Sequence, residues 1–121
     1  MLARSLADCK EILAGDKTIL RELLHPARNK AAIGYSLAHA KLGMGTASLP
    51  HRLKTSEVYY FLSGQGRMHV DGESATVAPG QALYVPPGTV QHLENTGTEE
   101  LVFLCIVDPA WKLEDEEIIQ K

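Results

Sequence analysis

At 121 residues, with 45% hydrophobic and 22% charged side chains, the chain has the size and composition of one globular domain with its own core. A net charge of −3 gives no basic face for nucleic acid or an anionic membrane, and no apolar run is long enough to span a bilayer. Asp8 and Glu11 interrupt the N-terminal MLARSLADCKEILAG, so it does not read as a signal peptide; Cys9 and Cys105 stand in unrelated contexts without a CxxC motif, which predicts a reducing cytoplasm.

Residues 2–13 read as a short helix or an irregular segment. After the turn signal AGDK come TILRELL (18–24), AIGYSLAHAKL (32–42), EVYYFL (57–62), RMHV (67–70), ALYVP (82–86) and ELVFLCIV (100–107), all rich in strand formers. HPARN, GMG, SGQG, DGE, APG, PPG and NTGTEE punctuate them. Many short strands with closely spaced turns predict an all-β sandwich or barrel. KLEDEEIIQ, at 112–120, has helical composition or is a solvated acidic tail. Residues 1–17 and 108–121 are therefore expected to be peripheral and free of strand. Trp111 is expected to pack on the barrel or on a partner, with the neighbouring acids in water.

EVYYFL and RMHV flank the loop SGQG, whose two glycines allow positive φ. A hairpin closed there sets Leu62 opposite Arg67, Phe61 opposite Met68, Tyr60 opposite His69 and Tyr59 opposite Val70. Alternation puts Glu57, Tyr59, Phe61, Met68 and Val70 on one face, and Val58, Tyr60, Arg67 and His69 on the other. The first face is the more apolar and should point inward, carrying Glu57 with it. A buried carboxylate needs a partner or a metal. His69 should face out.

The spacing of Gly45, His51, Glu57 and Gly64, followed by Gly80, Pro86, Gly88 and Asn95, resembles the two motifs of the cupin superfamily, in particular its small single-domain type-2 members. Eight of ten motif positions match without gaps: motif 1 spans 45–64, motif 2 spans 80–95, and fifteen residues separate Gly64 from Gly80. The resemblance covers about residues 35 to 107 and implies one cupin domain over 1–121, a double-stranded β-helix or jelly-roll barrel. Two ligand positions depart from the family's three histidines and one glutamate. Leu53 stands for the second histidine and Gln91 for the third.

The resemblance implies a divalent transition metal (zinc, nickel, manganese, iron or copper) held by His51, Glu57 and Gln91, more weakly than by an intact set. His92 becomes a ligand if a one-residue bulge turns it inward, and otherwise faces out. His39 either lines the cavity or is an ordinary strand histidine, and His25, beside Pro26 in a turn, reads as exposed. Leu53, Tyr59, Phe61, Met68, Phe103 and Cys105 are expected to line the pocket; the bland reading makes Cys105 a small buried hydrophobe and the aromatics plain core.

Two functions follow. One is metal-dependent oxygenase, isomerase, decarboxylase or lyase chemistry on a small acid, ketone or sugar. The other is a small-ligand-binding or sensor barrel with a degenerate metal site. A metal-free isomerase with His51 as base and Tyr59 as second titratable group is a further variant. The outward apolar residues Val58, Tyr60 and Leu62, with Leu37 or Tyr35, predict a homodimer.

Overall fold

The computed structural model describes residues 1–119. Eleven strands are present among these residues: β1 (Glu11–Leu13), β2 (Ile19–Leu24), β3 (Ser36–Leu42), β4 (His51–Leu53), β5 (Ser56–Ser63), β6 (Gly66–Val70), β7 (Glu73–Val77), β8 (Ala82–Val85), β9 (Val90–Asn95), β10 (Leu101–Asp108) and β11 (Glu116–Ile118). Two single 3-10 turns, Leu6–Asp8 and Leu113–Asp115, complete the regular structure. The strands form two antiparallel sheets, ordered β1-β2-β3-β10-β5-β8 and β11-β4-β9-β6-β7. No helix of the described residues is long and apolar enough to cross a membrane.

Side-chain alternation builds the core. On β5, Glu57, Tyr59 and Phe61 are buried while Tyr60 and Leu62 are exposed. On β10, Leu101, Phe103, Cys105 and Val107 are buried, and on β9 it is Gln91, Leu93 and Asn95. The inner faces meet in a cluster that includes Leu42, Phe61, Met68, Leu93, Leu101 and Phe103. Tyr59, Phe61 and Phe103 stack there with ring centroids 5.5 to 6.0 Å apart. Each buried ring of this kind contributes about 2–3 kcal/mol by leaving water. Asn95 ties the closed end: its amide nitrogen donates to the carbonyls of Leu42 (3.0 Å) and Glu99 (2.8 Å).

Two expectations are corrected here. The hairpin across SGQG does not form. β5 pairs with β10 and β8, whereas β6 pairs with β7 and β9, so the loop carries the chain from one sheet to the other. The facing assignments hold nonetheless, because the two sheets present their inner faces to each other and Phe61 still meets Met68 across the core. Gly64 makes the crossing possible. Its φ is +85°, and a Cβ there would lie 2.4 Å from the Glu100 carbonyl oxygen and 2.8 Å from the Leu101 Cα.

The chain ends are also not free of strand. β1 adds to β2 at one sheet edge and β11 adds to β4 at the other, so both termini extend the sheets.

Candidate functional site

Next to the Phe61 cluster, with Tyr59, Phe103 and Cys105 shared between them, the barrel holds a cavity of about 550 Å³. Its walls include Leu53, Tyr59, Phe103, Val107 and Trp111, and its buried polar lining is Asp16, Thr18, Ser36, His51 and Glu57. Arg4, Lys10 and Arg28 line it from exposed positions, together with Glu22, whose carboxylate pairs with Arg28 at 3.0 Å.

β4 delivers His51. Its Nδ1 lies 2.7 Å from the Leu49 carbonyl oxygen, which can only accept, so Nδ1 carries the hydrogen and Nε2 faces Asp16 Oδ2 at 3.6 Å. Asp16 is held by its own turn: Oδ1 accepts from the Thr18 backbone N–H (3.1 Å) and from the Thr18 hydroxyl (2.7 Å). β5 delivers Glu57, whose Oε1 accepts from Gln91 Nε2 at 2.9 Å. The Tyr59 hydroxyl in turn donates to Gln91 Oε1 at 2.5 Å. Burial pushes the Glu57 carboxyl up to about 7, despite the opposing pull of His51 and of the Gln91 hydrogen bond. Burial also raises the Tyr59 hydroxyl and the Cys105 thiol, with the Glu57 charge adding to both. Glu116, from β11, is raised by burial and by Asp16, while its Oε1 accepts from the Trp111 indole at 3.3 Å.

The structure thus brings His51, Glu57 and Gln91 close together, with Leu53 buried at the cavity wall. Tyr59, Phe103, Cys105 and Leu53 line this cavity. Phe61 and Met68 do not. They are 0% and 2% exposed and fill the closed end, because they sit further from the mouth than Glu57 and Tyr59. His92 is not turned inward: β6 and β9 pair without a bulge, which leaves Gln91 inside and His92 opposite His69 on the outer face. His39 faces outward too, paired across β10 with Leu104, while Ala38 and Ala40 take the inner side. His25 is buried rather than exposed. Its Nε2 donates to the Trp111 carbonyl at 2.7 Å, which seats Trp111 at the cavity. Glu116 is half-buried at the cavity wall. Asp16, Glu116 and Trp111 were not recognised as site residues from the sequence. The Asp-x-Thr turn at 16–18 was the available signal for Asp16.

A cupin barrel commonly holds a metal, so the fit of these residues to one matters. His51 has the right arrangement, with Nδ1 tied back and Nε2 facing the cavity. The rest do not supply a three-histidine shell. Leu53 has no donor atom, and both polar ends of Gln91 are engaged inside the chain. Among the described residues, the cavity's histidine and acids do not form a trio with ligand atoms all within 4.8 Å of one another. That spacing occurs instead on the outside of the second sheet, in His69, His92 and Glu94.

Two facing antiparallel sheets around a polar-floored cavity define a barrel of the jelly-roll type. The family model for the cupin domain matches residues 38–107, and the chain belongs to that family. It is 40% identical to an uncharacterized protein of Methanocaldococcus jannaschii over 92% of this chain and 89% of the relative. It is 31% identical to an oxalate-binding protein of Thermotoga maritima over 72% of this chain and 68% of the relative. Among solved structures, a predicted oxalate decarboxylase of Thermotoga maritima superposes with a TM-score of 0.76 at 23% identity, covering 90% of this chain and 99% of that one. The polyketide cyclase RemF of Streptomyces resistomycificus superposes at 0.82 and 17% identity, covering 100% and 87%. These two likenesses show the fold alone.

Proposed function

We propose that the barrel binds a small polar organic molecule without needing a metal, and that Glu57 and His51 exchange protons with it. The observation that carries this reading is the Tyr59–Gln91–Glu57 chain of hydrogen bonds, which occupies the third ligand position with a satisfied amide and holds a carboxyl poised near neutral pH. Glu57 then serves as an acid or base, His51 Nε2 as its counterpart, and Asp16 as the anion that orients a protonated imidazole. The charge pattern selects the ligand. An acidic floor disfavours a free dianion, while the exposed Arg4 and Lys10 suit one carboxylate nearer solvent. A small hydroxy acid or keto acid, or a neutral sugar-like molecule, satisfies both ends. Enolisation, isomerisation or elimination is the chemistry such a pair of groups can perform; binding alone needs the same contacts.

A second reading is favoured by the likeness to the oxalate-binding protein and by the group of acids around one imidazole. A divalent ion on His51, Glu57 and a reoriented Gln91 amide would neutralise the floor and admit a dianion. Thermal shift assays separate the two. Chelator-washed protein should be stabilised by a hydroxy or keto acid or a polyol, and Glu57→Gln should abolish that shift. Stabilisation by oxalate, only when manganese or zinc is present, and enhanced by Leu53→His, would replace the first reading with the second.

The outer face of the first sheet exposes Tyr60, Leu62, Tyr84 and Ile106. We propose that it pairs two copies of the chain. A monomer at high micromolar concentration by light scattering would remove this reading.

A further inference from the structure

Outside the barrel, β6 and β9 pair so that His69 stands directly opposite His92. Their rings lie parallel within 6°, with centroids 4.3 Å apart. Glu94, two residues along β9, shares the same face, and its Oε1 is hydrogen-bonded to His69 Nε2. Ligand atoms of the three all lie within 4.8 Å of one another. We propose that His69, His92 and Glu94 form an exterior site for one divalent ion of the zinc, nickel or copper class, independent of the barrel.

The donor set selects the class. Two imidazoles and one carboxylate suit these borderline ions, whereas magnesium and calcium take shells of oxygen. The backbone sets the spacing, because directly opposed residues of an antiparallel pair hold their Cβ atoms about 4.5–5.5 Å apart. Closing on an ion requires side-chain rotation, because parallel stacked rings do not aim two nitrogens at one point. The ion takes the place of the His69–Glu94 hydrogen bond, and the side chains of that pair are only 29% and 43% exposed, so part of the ordering cost is already met by the fold. Arg67, opposite Glu94 on β6, is drawn aside to the Ser74 hydroxyl at 2.7 Å, which leaves the carboxylate to the histidines. The remaining coordination positions open to solvent.

Independence from the barrel follows from the pleat. Met68, Leu93 and Gln91, the neighbours of these residues along the two strands, are buried on the other face, and none of the three ligands lines the cavity. A cation held here leaves the floor of the barrel as it is.

The test uses the full chain without an affinity tag, washed with chelator, and titrated by calorimetry with zinc and with nickel. The double variant His69→Gln/His92→Gln should weaken binding about a hundredfold or more, since even supporting partners of a ligand are worth 10–100-fold. His51→Gln should leave this binding unchanged, which separates it from any ion in the barrel. Copper bound to the parent and to His51→Gln should show hyperfine coupling to two nitrogens in electron paramagnetic resonance, a readout that does not depend on the double variant folding. Parent protein that takes up no zinc at millimolar concentration overturns the site. So does a folded double variant that binds as tightly as the parent, or copper spectra with fewer than two nitrogens, which would leave His69 and Glu94 as an ordinary surface pair.

Discussion

The two ends of the barrel are built by the same strands and the same alternation, yet they hold opposite contents. At the closed end β5, β6, β9 and β10 contribute Phe61, Met68, Leu93 and Leu101, packed to between 0% and 2% exposure. A few residues away at the open end, β4 and β5 contribute His51 and Glu57, and the wall is completed by residues near the two ends of the chain, Asp16, Trp111 and Glu116 among them. Close packing leaves the first end no room to adapt, whereas the second already contains space. Truncating a side chain should therefore cost very different amounts at the two ends. Phe61→Ala should lose about 3–5 kcal/mol of unfolding free energy, because the vacated volume cannot collapse. Leu53→Ala, at the edge of an existing cavity, should lose about 2 kcal/mol, the low end for a buried leucine. Urea denaturation of both measures the contrast, and equal losses would show that the two ends are equally tight.

The open end should also make stability depend on pH where the closed end cannot. Glu57 titrates from 4.5 up to about 7 on folding. A carboxyl raised in this way favours the folded state only while protonated. Its contribution is complete below about pH 4.5 and is lost as pH rises to about 7, because the unfolded chain releases the proton first. The full swing is roughly 3 kcal/mol. Glu57→Gln should flatten the stability profile across that window, and Phe61→Ala should lower the profile without changing its slope there. A Glu57→Gln profile as steep as the parent's would assign the dependence to another group.

The glycines extend the comparison to the backbone. Gly64 and Gly45 both have positive φ, +85° and +76°, but only Gly64 approaches other backbone atoms. Gly45→Ala should cost about 1–2 kcal/mol for its left-handed conformation alone. Gly64→Ala must also displace the β10 backbone at Glu100 and Leu101, and should cost more than Gly45→Ala and shift β10 amide resonances. Matching melting temperatures for the two variants would mean that the crossing loop gives way freely.

What could be read in the sequence follows the same division. Inward and outward faces were legible because side-chain period depends only on the local backbone. Glu57 in and His69 out follow from counting, whereas His92 stayed open, because a one-residue bulge would have reversed its face. The pairing of β5 with β10 and β8 was not legible, because a loop with two glycines permits either a tight hairpin or a crossing between sheets, and distant strands decide which. The floor of the cavity was half legible for a related reason. His51, Glu57 and Gln91 sit at motif spacing, but Asp16 arrives from the turn between β1 and β2 and Glu116 from the three-residue β11, segments too short to carry a hydrophobic pattern. His25 was misjudged as exposed because its turn setting says nothing about Trp111, to which it bonds.

The smallest effect concerns how the floor groups set one another. Two neighbours act on Glu57 in opposite senses: His51 pulls its pKa down against the larger upward shift from burial, and Asp16 adds to that shift. Asp16→Asn removes a negative charge while keeping an acceptor for Thr18, so the Asp16 turn should survive. The Glu57 midpoint should then move down. His51→Gln removes the favourable neighbour and should move it up. Carbon-13 detected NMR of the Glu57 side-chain carboxyl reads both midpoints directly. Displacements of opposite sign would show that the chain ends tune the acid at the centre of the barrel. If neither variant moves the midpoint, burial alone sets it, and Asp16 serves only to hold the turn before β2 against His51.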